Sequence, residues 1–218
     1  MVPFCHKNTY ERQEMMETTE NNKDMTENTE NQFCVETIRW LAGHLGTDAN
    51  GISDILNESN AQLFMFIWPV FEEEIFNSFA VLNNKKPKSD STKKDLATVT
   101  NEFKNQYKAS DFDNMAKRFH SRYKDCNERY EALIDYKRVN TIAIIEMILY
   151  MDYENITNSY EKLYLLFFVT YRYRNNIFHG NKNILSWPDY KEQIRDCITF
   201  MIKIIDINNL IKNRKTPQ

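Results

Sequence analysis

The chain of 218 residues carries only four Gly and five Pro, where average usage would give about fifteen and eleven. That scarcity argues against a turn-rich β-sandwich, a Gly-rich phosphate loop or a low-complexity linker, while 42% hydrophobic and 13% aromatic residues suffice for a sizeable core. The net charge of −3 hides two basic stretches, residues 83–138 with fourteen bases against nine acids and residues 160–218 with ten against five. Such stretches are the footprint of a polyanionic partner, or else solvated helix faces.

Residues 11–32 are rich in Glu, Asn and Thr and hold no aromatic, so they can bury little and read as a flexible arm. The predicted organisation is a polar acidic N-terminal arm over residues 1–32 and a single helical domain over residues 33–218. From Phe33 a helical run ends at Gly43 or Gly46, and Thr47 to Gly51 reads as a turn. A long helix is predicted from Ile52 to Leu82, kinked at Pro69. Residues 83–95 read as an exposed basic loop, followed by helices over 96–108 and 111–138. The apolar stripe of the latter (Met115, Phe119, Tyr123, Tyr130, Leu133) is thin, which predicts a position at the bundle surface.

Val139 to Met151 is apolar almost all round and too short to span a bilayer, so it reads as a buried helix. Asn158 or Ser159 caps the next helix, Tyr160 to Phe178, with Leu163 and the run Leu165 to Val169 turned inward. His179-Gly180-Asn181 stops it. A last helix runs from Ser186-Trp187-Pro188-Asp189 to about Asn213. No repeat and no strand–helix alternation is visible, so the fold class is all-α, a helical bundle.

Cys5, Cys34, Cys126 and Cys197 are far apart in sequence, so no CxxC pair exists and the thiols read as idle or buried. Without a transmembrane run or a signal peptide pattern, the chain reads as cytoplasmic, with no membrane partner. Glu72-Glu73-Glu74 diverge by 100° per residue on a helix and cannot converge on one ion. They read as a solvated face, and no metal or cofactor is expected.

The chemistry concentrates near the end of the helix that stops at Phe178. Arg172, Asn175 and His179 stand at i, i+3 and i+7 and share one face, predicted to face outward. Arg174 stands about 140° from His179 on the same wheel. Cations beside an imidazole suit a bound anion such as phosphate. His6, His44 and His120 lack such company, His120 being placed on a basic helix face.

The string Arg174-Asn175-Asn176-Ile177-Phe178-His179-Gly180 resembles the signature of the HEPN superfamily, an Arg followed after four to six residues by His. A second Arg-x4-His, Arg39 to His44, is taken as chance. The resemblance is sharp over about ten residues and extends loosely over the helical order from Ile52 to Leu210. It implies a HEPN-type bundle that dimerises. It implies a metal-independent endoribonuclease of a defence or toxin–antitoxin system, with Arg174, Asn175 and His179 catalytic. Arg172, Asn176 and Lys182 would contact RNA phosphate, and an antitoxin or neighbouring-gene protein would be a partner. The alternative within the family is a non-catalytic binding module. Family toxins with a Tyr two residues after the His are modified there; Asn181 occupies that position, which puts that control in doubt.

The residue types suit RNA cleavage. The RNA 2′-hydroxyl is an internal nucleophile, His transfers protons near neutral pH, and Arg stabilises the pentacoordinate phosphate. Tyr160, Tyr164, Leu165, Phe168, Tyr171 and Tyr173 exceed one buried stripe, which predicts a homodimer through this helix with motifs paired across it. The competing expectation is a thick single-chain core. Both Arg174 and His179 are expected at an exposed helix end.

Overall fold

The computed structural model describes residues 32, 35–77, 80, 94–134, 139–178 and 184–215. Expectations for the N-terminal arm, the 83–93 loop, His179, Gly180, Asn181 and Lys182 lie outside them. The chain divides into two compact units, Met1–Ile55 and Leu56–Gln218. The described residues are helical or loop, without a strand, so the protein is all-α. No helix among them is long and apolar enough to cross a membrane.

In the first unit residues 35–45 are helical (α1). Gly46 takes φ +69° and Thr47 N–H reaches back to the Ala42 carbonyl at 2.9 Å, a helix stop in which only glycine is unstrained. Asp48 then accepts from Gly51 N–H at 2.7 Å and so caps α2 (Ala49–Glu58), whose last three residues belong to the second unit. Ala49 to Gly51, expected as a turn, are therefore the first turn of a helix. His44 stacks on exposed Trp40, centroids 5.3 Å apart.

The second unit contains α3 (Ala61–Phe76), α4 (Leu96–Phe103), α5 (Ala109–Lys124), α6 (Asn127–Ile134), α7 (Val139–Tyr150), α8 (Ser159–Phe178) and α9 (Lys191–Lys215). Short 3-10 turns occupy Lys104–Gln106, Tyr153–Asn155 and Ile184–Tyr190. The long helix expected from Ile52 is broken at Ser59-Asn60, N-terminal to Pro69. There Asn60 is left-handed at φ 58° and the Ser59 hydroxyl accepts from Ala61 N–H. The helix expected over 111–138 is likewise interrupted at Asp125-Cys126. Asp95 caps α4 by accepting from Thr98 N–H at 2.8 Å.

α8 is the centre of this unit. It packs against α3, α4, α5, α7 and α9, and α3 packs along α9. Every residue from Leu163 to Tyr173 is buried, as a helix must be when neighbours surround it. Phe167 is the hub, with ring centroids 4.9 Å from Phe200, 6.1 Å from Phe71, 6.3 Å from Phe76 and 6.4 Å from Phe103. Of the aromatics expected to face a second copy, Tyr164, Phe168, Tyr171 and Tyr173 are interior to the chain and Tyr160 is half-buried. The thick single-chain core is what the helix surplus builds.

α5 lies at the bundle surface on one apolar stripe, as expected: Phe112, Met115, Phe119, His120 and Tyr123 are buried, while Lys117 and Arg118 on the other face are exposed. Another expectation changes. α7 buries Ile145, Ile148 and Leu149 but leaves Met147 and Tyr150 exposed, the latter 90%. Leu63, Phe66 and Val70 also face outward on one stripe of α3, opposite buried Trp68.

Basic side chains close helix ends. His120 Nε2 lies 3.2 Å from the Ile148 carbonyl and 3.0 Å from that of Met151. Carbonyls only accept, so Nε2 carries the proton. Lys124 Nζ donates to the Met151 carbonyl at 2.8 Å and to Asp152 at 2.7 Å. Together they satisfy carbonyls that the last turn of α7 leaves unpaired. His120, placed by sequence on a basic face, is thus a buried capping residue.

Candidate functional site

The site grows from the last turns of α8. Arg172 and Arg174 are two residues apart, about 200° around the helix, so their side chains leave on opposite sides. Arg172 runs toward α6, where Nη2 donates to the Ala132 carbonyl at 3.0 Å. Ala132 is in the last turn of α6, whose carbonyls lack an intrahelical donor. Arg172 is only 8% exposed, and this corrects its expected outward position: the cation is committed to a helix end.

Arg174 runs toward α3. Its guanidinium carbon lies 5.9 Å from the Trp68 ring and 5.4 Å from that of Phe178, within cation–π reach of both. Nη1 donates to Asn175 Oδ1 at 3.1 Å. Asn175 is itself buried, 6% exposed, rather than outward-facing. Burial fixes its amide, and the amide fixes the guanidinium. Arg174 stays partly accessible and Phe178 is exposed, so this end of α8 holds a partly accessible guanidinium in a fixed orientation.

Trp68 is positioned in turn. Its Nε1 donates to Glu72 Oε2 at 2.9 Å, and Glu72 Oε1 accepts from Ala80 N–H at 2.7 Å. The three glutamates are not the uniformly solvated face expected from sequence. They do diverge, but Glu72 braces Trp68, and Glu74 accepts from the Asn208 amide at 3.4 Å and the Lys212 ammonium at 2.5 Å on α9. Only Glu73 is exposed.

Asn176 lies on the other flank, lining a small cavity of about 10 Å³ with Tyr173, Trp187 and Tyr190. Tyr190 meets Tyr173 edge-on at 6.3 Å, and the Arg122 guanidinium sits 5.6 Å from the Tyr190 ring. Burial pushes the Tyr123 hydroxyl, beside Tyr173 and Arg122, up to about 12, and raises Tyr173 further. These tyrosines are therefore neutral near pH 7.

Of the expected site residues, the structure brings Arg174 and Asn175 together, sends Arg172 to α6 and puts Asn176 on the Tyr190 side. Trp68 and Glu72 were not expected, and nothing in their local sequence points to the site. Among the described residues no three His, Cys, Asp or Glu side chains gather in a metal-holding group. No protein-family model, curated protein or solved structure matches the chain.

Proposed function

We propose that the chain is a metal-independent endoribonuclease of HEPN type, acting in a defence or toxin–antitoxin setting. The observation that carries the reading is the hydrogen bond from Arg174 to buried Asn175, which orients a partly accessible guanidinium in the turn preceding His179. In the proposed reaction His179 accepts the proton of the RNA 2′-hydroxyl as its oxygen attacks phosphorus. Arg174 neutralises the pentacoordinate phosphate, the 5′-oxygen leaves with a proton taken from water, and His179 returns its proton to solvent, giving a 2′,3′-cyclic phosphate and a 5′-hydroxyl. With Arg172 occupied at α6, Arg174 is the principal cation.

A homodimer stays part of the proposal, on a different footing from α8 aromatics. Exposed Phe178 beside Arg174 is an apolar contact for a second copy at this end of the bundle, which would set two motifs around one phosphate. Light scattering at micromolar concentration tests it. A mass near 26.1 kDa rather than twice that sinks the composite site.

The engagement of Arg172 favours a second reading, a binding module without cleavage, since it leaves one arginine of the pair for phosphate. Incubation of the full chain with total RNA in EDTA separates the two. Cleavage that disappears in His179→Ala, with cyclic-phosphate ends, supports the nuclease; intact RNA at high protein concentration with retained RNA binding supports the module.

A further inference from the structure

The two basic stretches of the sequence meet in the fold at a place away from Arg174. A cavity of about 600 Å³ opens between α5, the start of α6 and the first turns of α9, a volume typical of ligand sites. Lys117, Arg118, Arg122 and Arg129 line it, with Glu192 and Asp196 opposite. The carboxylates are already engaged. Asp196 takes Arg118 in a two-pronged pair at 2.7 and 2.9 Å, and Glu192 pairs with Arg195 on its own helix. Lys117 reaches Glu154 at 2.9 Å. Among the described residues no carboxylate is within ion-pair distance of Arg122 or Arg129, so within them the cavity holds two guanidiniums without an ion pair.

Two details narrow the ligand. Arg122 rests over the Tyr190 ring and gives one hydrogen bond to the Tyr123 hydroxyl, which holds the guanidinium plane while its other N–H donors can meet an oxyanion. The Gln193 Oε1 atom on the same wall is buried and has no hydrogen-bond donor among the described residues. A buried acceptor left unmet is costly. The cavity thus asks for an anion that also brings hydroxyl or amino hydrogens, the composition of a nucleotide rather than of a bare phosphate. Tyr190, under the Arg122 guanidinium, also lines with Asn176 a separate small cavity at the end of α8.

We infer that this cavity binds one nucleotide of a single-stranded RNA, Arg122 and Arg129 taking its phosphate and Gln193 accepting a hydrogen from its sugar or base. The choice of RNA rests on the proposed ribonuclease reading; the demand for an anion rests on the cavity alone.

The test is fluorescence anisotropy of the full wild-type chain with a labelled 2′-O-methyl oligouridylate, which cannot be cleaved by 2′-oxygen attack, at several salt concentrations. Arg122→Ala/Arg129→Ala should weaken binding about 10-fold or more and lower the log–log salt slope by about two. Arg129→Ala alone, at an exposed position, should lower it by about one and guards against misfolding of the double variant. Arg122→Lys/Arg129→Lys should keep the slope while losing part of the affinity. Affinity and slope within twofold of wild type in a folded Ala variant overturn the site. No anisotropy change with the oligonucleotide, while inorganic tripolyphosphate raises the melting temperature of the wild-type chain and not of the Ala variant, overturns the RNA assignment. Cleavage retained in the parent while binding ignores both arginines removes this site and spares the nuclease. Binding lost in the double variant of a chain that never cleaves RNA does the reverse.

Discussion

The Arg172 guanidinium and the Ala132 carbonyl, 3.0 Å apart, join the central helix to the open end of α6. Truncating Arg172 to Ala leaves that carbonyl short of its donor and opens a gap at a buried position. The expected cost is about 2 kcal/mol, the range for a hydrogen bond from a charged donor. Arg174→Ala removes a partly exposed cation over two rings and should cost about 1 kcal/mol or less. Urea melts of the two variants decide it; equal losses would mean that the two arginines do not differ in role.

Glu72 is the next test. Its carboxylate accepts from both the Trp68 indole and Ala80 N–H. Glu72→Ala should destabilise by about 2 kcal/mol, and Glu72→Gln, which retains one acceptor, by about half of that. If the ribonuclease reading holds, Glu72→Ala also lowers the single-turnover cleavage rate, because Trp68 underlies Arg174. A full cleavage rate in a folded Glu72→Ala chain would remove Trp68 from the site.

Stability should depend on pH through His120. Burial lowers its pKa below the ordinary 6.5, outweighing the carbonyls of Ile148 and Met151 that favour the charged form. The folded state therefore prefers neutral His120. Its contribution is complete above about pH 6.5 and is lost as pH falls through the lower folded value. His120→Gln, which still donates to the carbonyls, should flatten the profile of unfolding free energy between about pH 7 and 5. Asp113 acts lower. Burial would raise it, but hydrogen bonds from Tyr107, Lys162 and Tyr153 outweigh that and hold it below 3.8, so its contribution fades only in stronger acid. An unchanged slope in His120→Gln would contradict the assignment.

Phe167 and Phe66 separate the core from the surface. Phe167→Ala removes the ring shared by α3, α4 and α9 and should cost about 4 kcal/mol. Phe66 is 77% exposed, so Phe66→Ala should stay within about 0.5 kcal/mol. Thermal melts read both, and comparable losses would place Phe66 inside an interface.

Local chemistry was legible in the chain itself. The all-α class, the span of α8, the stop at Gly46 and the start of α4 after Asp95 follow from periodicity, capping and scarce Gly and Pro, which act over a few residues. The proximity of Arg174 to Asn175 follows from adjacency on one helix. Other features were decided by tertiary structure alone. Periodicity marks α8 as apolar nearly all round, but whether its tyrosines meet a second copy or α3, α4, α5 and α9 depends on how many helices surround it. Arg172 reaches Ala132 across 40 residues of sequence, and Arg118 reaches Asp196 across 78. No spacing rule encodes such partners, because they exist only once helices from distant segments have been brought side by side.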